Sequence, residues 1–151
     1  MFIGISVDGR VSLGGSPFKH IGGNIYMDPY GGFVIEISDS GPVEYYNSSL
    51  DSEYERGKVK KVGSTYFYYN TLSIDSDYER GKVKKVGNTS IYYNTLSIDS
   101  DYERGKVKKI GDYSVYYYTS SIDYSYERGK VKKIGYYTVN YDSYGNVKSI
   151  G

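Results

Sequence analysis

The chain has 151 residues, with Tyr at 22 positions and Gly at 19, neither Cys nor Trp, and 19 Lys and Arg against 18 Asp and Glu. That length suits one domain, and the missing Cys excludes disulfides and thiol catalysis. A net charge of +1 offers no long-range field to draw nucleic acid or an anionic membrane, and no segment reads as a transmembrane span.

Leu and Met are scarce and Ala is absent, while half-polar rings abound. Tyr buries a ring and keeps its hydroxyl wet, so the composition predicts a thin sheet with a shallow core. The first ten residues, MFIGISVDGR, lack the basic start and long apolar run of a signal peptide. The expectation is a cytoplasmic chain or a mature segment without its leader, with a leaning towards the extracellular or cell-surface side.

Residues 1–50 read as degenerate hairpins. Asp8-Gly9 sits between two β-rich runs, a strong short hairpin signal. Pro29 and Gly31-Gly32 place another turn between two more. Residues 51–135 are regular, with copies of a 24-residue unit starting at Asp51, Asp75, Asp99 and Asp123. A fixed period of this size marks an array whose units bury their apolar faces against neighbours. Residues 136–151 form a shortened C-terminal hairpin, VNYDSYGNVKSIG, whose Asp-x-x-Gly turn the central copies replace with the longer SIDSDYERG.

Within one unit, Lys82 to Val86 and Ser90 to Thr95 are the expected strands, joined through Gly87-Asn88. Val83 and Val86 lie three apart, which a period of two cannot place on one face without an extra residue. A bulge at Lys84-Lys85 resolves this and sends both lysines to water. Five residues between glycines are too few for the competing helix. The units could stack as parallel rungs, a β-solenoid, or follow one another as hairpins. Rungs would set Lys82 on Lys58 and Lys106, like charge on like charge. The predicted fold is therefore an all-β, elongated, coiled antiparallel hairpin meander forming one domain over 1–151.

Two constellations carry candidate chemistry. Asp75, Asp77 and Glu79 alternate in a loop, and Asp99, Asp101 and Glu103 repeat them, as oxygen ligands of calcium often do. The alternative is an acidic turn pairing with the basic strand beside it. The pairs Tyr68-Tyr69, Tyr92-Tyr93 and Tyr116-Tyr117 put one ring on each sheet face, either as a platform for carbohydrate or a protein ligand, or as the cross-strand ladder of the sheet. His20 is the sole histidine, and no Ser or Thr has a visible activating base, so no enzyme is expected.

The segment YDSYGNVKSIG, Tyr141 to Gly151, resembles the tyrosine–aspartate repeats of Rhs-type shell proteins, with their Tyr-Asp-x-x-Gly turn and following β run. YERGKVKKVG resembles the hairpin of MORN repeats, similar in period, which form elongated single-layer sheets. The chain also resembles, more closely, bacterial tyrosine-rich hairpin repeats with V-x-x-I-G strands, and cell-wall-binding repeats are a distant analogue. The near-identical copies and a last strand without a polar cap predict a structural protein that self-associates through its sheet edges into a fibre or surface layer. The alternatives are a binding module using the Tyr rows and a calcium-stabilised surface repeat. No cofactor other than calcium, no nucleic-acid partner and no membrane span are expected.

Overall fold

A computed structural model describes residues 1–151 and contains strands and turns but no helix. β1 (Phe2–Ile5), β2 (Val11–Leu13), β3 (Lys19–Gly22), β4 (Ile25–Met27) and β5 (Phe33–Glu36) form a five-stranded sheet in the order β2-β1-β5-β4-β3. β6 (Val43–Tyr45), β7 (Val59–Val62), β8 (Thr65–Tyr69), β9 (Val83–Val86), β10 (Thr89–Tyr93), β11 (Val107–Ile110), β12 (Tyr113–Tyr117), β13 (Val131–Ile134), β14 (Tyr137–Tyr141) and β15 (Val147–Ile150) form a ten-stranded sheet in strict chain order. Every named strand pair in both sheets is antiparallel, and neither sheet closes on itself. The chain is an all-β antiparallel hairpin meander over its repeats.

The bulge stands where the valine spacing puts it. Tyr68 faces Lys85 and Tyr69 faces Val83, which leaves Lys84 as the extra residue. The same shift occurs beside Tyr92/Tyr93, Tyr116/Tyr117, Asn140/Tyr141 and Glu44/Tyr45. Both valines of each VKKV strand are thereby buried, and Val83 and Val86 are 0 and 1 % exposed. The short hairpins close through two-residue loops whose first residue is Gly at positive φ, as at Gly87 (φ 56°), the arrangement that matches the right-handed twist of the strands. The second strand begins one residue earlier than expected, at Thr89, and ends at Tyr93.

The long turns share one frame with the short C-terminal turn. The Asp142 N–H donates to the Asn146 carbonyl and the Gly145 N–H to the Asp142 carbonyl. In the repeat, the Asn70 N–H donates to the Lys82 carbonyl and the Gly81 N–H to the Asn70 carbonyl, with Gly81 and Gly145 both at positive φ (82° and 84°). The loop between is an insertion in an unchanged bulged turn. Asp28 to Gly32 uses the same short form, its carboxylate accepting from the N–H groups of Tyr30 and Gly32 at 2.8 and 2.9 Å.

Residues 1–50 depart from the expectation of one continuous succession of hairpins. β1 pairs with β5 rather than only with its chain neighbour, and the five-stranded sheet folds back over one face of the long sheet. The two share a single cluster of 26 buried residues that includes Ile3, Ile5, Ile25, Met27, Phe33 and Ile35 from one sheet and Val83, Ile91, Val107, Val115 and Val131 from the other. The core is thus sandwiched between two layers, not the shallow surface of a thin sheet. Phe33-Val34-Ile35 is buried on both faces, with Gly15 closing over Val34 on the outer side. β6 alone of the first fifty residues joins the long sheet.

The bulges also explain the docking of the layers. Beyond each bulge the short-hairpin ladder stops, β9–β10 registering only Val86–Thr89 and Lys85–Ser90, and the backbone groups of the first valine on that side need other partners. The Val83 N–H donates to the Gly9 carbonyl at 3.1 Å and the Val107 N–H to the Val7 carbonyl at 2.9 Å, both on the β1–β2 turn. The Asn24 amide donates to the Thr89 hydroxyl at 3.1 Å, and Ser64 and Thr65 donate to the Asp39 carboxylate, Thr65 at 2.6 Å. These hydroxyls, Thr65 first and then Ser64, hold the Asp39 carboxyl below its ordinary range.

Candidate functional site

The Tyr pairs divide as period two requires, and the division decides which can meet a ligand. Tyr69, Tyr93 and Tyr117 point inward and are 6, 5 and 4 % exposed. Their hydroxyls donate to the carbonyls of Val59, Val83 and Val107, and Tyr141 repeats the bond to Val131 at 2.8 Å. Each accepting carbonyl belongs to the first valine of the lysine strand in the same short hairpin, so one ring per repeat satisfies a backbone group beside the bulge. Burial pushes all four phenols well above their ordinary range. These inner rings are core, and the expectation of ligand contact is corrected for Tyr69, Tyr93 and Tyr117. Their tolerance of burial is what a reading of Tyr as half-wet misses.

Tyr68, Tyr92 and Tyr116 lie on the opposite face and are about half exposed. Each stands across from a lysine, Tyr68 from Lys85, Tyr92 from Lys109 and Tyr116 from Lys133. On their other side these lysines face Ser90, Ser114 and Thr138. β7, β9, β11 and β13 each supply a Lys-Lys pair to the outer face, and the strands from β7 to β15 contain no carboxylate. The one acid in the sheet is Glu44 at its β6 end, 3.6 Å from Lys61. The near-zero net charge therefore hides a segregation: from β7 to β15 the sheet face carries cations alone, while the turns hold the anions together with further Arg and Lys.

The candidate metal ligands are each given a different task. The Asp75 carboxylate accepts from the Leu72 N–H at 2.9 Å, Asp77 pairs with Arg80 at 2.5 Å, and Glu79 accepts from the Ser76 N–H at 3.3 Å while the Ser76 hydroxyl accepts from Tyr78. Ser76 and Glu79 form a capping box on a single hydrogen-bonded turn that Gly81 ends. Asp99, Asp101 and Glu103 repeat the pattern with Leu96, Arg104 and Ser100. No group of three or more metal-ligating side chains converges. The acidic turn does not pair with the adjacent lysines either. Arg80 closes its own turn on the carbonyls of Leu72, Ser73 and Asp75.

Turn stacks on turn through cations. The Lys82 ammonium donates to the Gly105 carbonyl of the next turn at 2.5 Å and lies 5.5 Å from the Tyr93 ring centre. Lys58 and Lys106 do the same towards Gly81 and Gly129, and burial lowers the pKa of all three. In the reverse direction Arg80, Arg104 and Arg128 sit over Tyr54, Tyr78 and Tyr102 of the preceding turns. Equivalent lysines thus lie two strands apart with a carbonyl and a ring between them, which removes the repulsion that parallel rungs would impose.

Beside these turns a cleft of about 1000 Å³ opens between the β1–β2 hairpin and the β6 end of the long sheet. Arg10, Lys58, Arg80 and Lys82 line it with Asp8, Glu53, Tyr45 and Tyr54. No periodicity in the sequence marks it, because it arises where the shorter sheet stops covering the longer one. Comparison with protein-family models, curated proteins and solved structures finds no match to this chain.

Proposed function

We propose that this is a non-enzymatic structural β-repeat protein that assembles end to end through the edges of its ten-stranded sheet. The observation that carries the reading is that the two open edges are unlike halves of one recurring pair. At one end stands β15, a VKSI strand of the lysine type. At the other stands β6, a VEY strand of the tyrosine type. Inside the sheet every lysine-type strand from β7 to β13 is flanked by tyrosine-type strands on both sides. A second copy presenting β6 to β15 extends that alternation, and such a heterologous contact that does not close propagates as a filament.

The donors available at each edge follow from the ladder. Gly151 exchanges both backbone bonds with Thr138 at 3.0 Å, so by alternation the N–H and C=O of Ile150 and Lys148 face the free side. The Gly63 N–H donates to the Pro42 carbonyl at 3.0 Å, so those of Val43 face the free side of β6. The edges are short and Lys148 is bulged, features that suppress promiscuous pairing and restrict contact to one register. Sedimentation velocity and electron microscopy across concentration test the proposal. The expected result is growth of linear particles that Ile150→Pro and Val43→Pro each abolish, since Pro removes an outward N–H. A chain that stays monomeric at the highest accessible concentration across salt would overturn it.

A further inference from the structure

Beyond assembly, and independently of it, we propose that the outer face of the ten-stranded sheet binds a linear anionic polysaccharide of the polyuronate class. Three equivalent subsites, two with Ser and one with Thr, cross the face. Each consists of an exposed Tyr, the Lys opposite it and the hydroxyl opposite that Lys: Tyr68–Lys85–Ser90, Tyr92–Lys109–Ser114 and Tyr116–Lys133–Thr138. The three tyrosines are 45, 53 and 55 % exposed, Tyr68 with Tyr66 stacked beside it at 6.3 Å between ring centres. Consecutive subsites are two strands apart, on the order of 10 Å across the sheet. The series stops at both ends. After β14 the register positions hold Asn140 and Ser149, and before β8 the anion Glu44 faces Lys61.

The chemistry of one subsite matches one sugar acid. A pyranose ring lays its C–H face on an aromatic ring, its carboxylate takes an ammonium, and its hydroxyls exchange hydrogen bonds with Ser or Thr. Charge complementarity favours an anionic polymer over a neutral one, because nothing on β7 to β15 offsets the lysine pairs. Interleaving favours sugar over single-stranded nucleic acid. A nucleic acid strand carries its charge on a backbone separate from its bases, which calls for a basic groove running beside a line of rings. Here the ammonium lies in the same line as the ring, with the Lys109 Nζ 5.9 Å from the centre of Tyr92. That arrangement fits a polymer whose every ring bears its own charge.

Affinity electrophoresis and tyrosine-fluorescence titration of the full chain with polygalacturonate, dextran and oligo(dT) test the assignment. The expected result is saturable binding of polygalacturonate that weakens with salt, no binding of dextran, and binding of oligo(dT) at least tenfold weaker. Tyr92→Ala and Lys109→Gln, at the central subsite, are each expected to weaken polygalacturonate binding about tenfold, equivalent to about 1.4 kcal/mol. Lys148→Gln, outside the series, leaves it within about twofold. All three substituted side chains are at the surface, and circular dichroism checks the fold of each variant. Tighter binding of oligo(dT) would assign the face to nucleic acid and overturn the proposal. So would polygalacturonate binding that Tyr92→Ala leaves unchanged, because that is unspecific charge attraction, and so would no binding at all.

Discussion

Replacing Tyr93 with Phe removes one oxygen atom and tests whether the inner tyrosines are structural hydrogen-bond donors. The Tyr93 hydroxyl donates to the Val83 carbonyl at 2.5 Å, in a setting where the ring is 5 % exposed. Without it the Val83 carbonyl, beside the bulge, is buried with no partner, a loss of about 1–3 kcal/mol. In a chain of this size each kcal/mol lowers the melting temperature by roughly 2–4 °C. Tyr92→Phe, one residue away on the outer face, is expected to stay within about 0.5 kcal/mol. Urea unfolding of both variants measures the difference. Because Tyr69, Tyr93, Tyr117 and Tyr141 make the same bond two strands apart, their effects should add to within about 0.5 kcal/mol. Four substitutions together then approach the whole stability of a typical domain, about 5–15 kcal/mol, and the quadruple variant should unfold at ordinary temperature. If Tyr93→Phe costs no more than Tyr92→Phe, the assignment of the inner ring to the bulge is wrong.

Gly9 holds φ +80° with its α-carbon against the Tyr93 ring, so Gly9→Ala should cost roughly 1–2 kcal/mol for the backbone alone. The ring adds to this, and Tyr93→Ala in the same chain should relieve the added part, read as a coupling energy of about 0.5 kcal/mol or more. Alkali should unfold the protein. Folded phenols pushed above their unfolded value stay neutral while those of the unfolded chain ionise, so stability is complete below about pH 10 and falls as pH rises beyond it. The inner tyrosines and Tyr46, pushed up to about 12, produce this effect. Tyrosinate absorbance from the buried rings should appear only with loss of structure; their ionisation ahead of unfolding would contradict it. Melting with and without EDTA examines the acidic turns. With the three carboxylates of each turn already engaged, no change is expected, and a rise in melting temperature on adding calcium would show a site there.

What the sequence makes legible is what a local rule dictates. Val83 and Val86 cannot share a face without an extra residue, and Lys84 is that residue. Gly87-Asn88 closes a two-residue hairpin because Gly supplies the positive φ. Lysine repulsion selects hairpins over rungs, and the rings and carbonyls between the lysines give that choice its structural form. The second layer is a non-local fact. Hairpin signals at Asp8-Gly9 and Pro29 are genuine, but nothing near them states that β1 pairs with β5 or that the pair faces Val83 and Val107. One signal was available: Phe33, Val34, Ile35 and Ile37 form a nearly continuous apolar run, which marks a strand covered on both faces rather than one sheet wetted on one side. Charge segregation was likewise invisible to a total, since +1 is the same number whether Lys and Glu alternate or separate onto face and turn.

The bulge links these features into one physical argument. It lets a strand carry two adjacent lysines without losing its buried valines, and so creates a basic outer face over an apolar inner one. Beyond the bulge the short-hairpin ladder stops, so the backbone groups of the first valine on that side lack strand partners. The inner tyrosine then supplies the missing donor to its carbonyl, and the β1–β2 turn the missing acceptor for its N–H. A perfectly regular VKVKV strand would bury its valines equally well, but would place its lysines two apart and leave no backbone group for Gly9 or Val7 to meet. Substituting Val-Lys-Val for the Val-Lys-Lys-Val of β9, by deleting Lys84, should therefore straighten the strand pairing there while loosening the five-stranded sheet. Faster amide exchange at β1 and β2 would record that, and unchanged protection at those strands would mean that the layers are held by the shared apolar core alone.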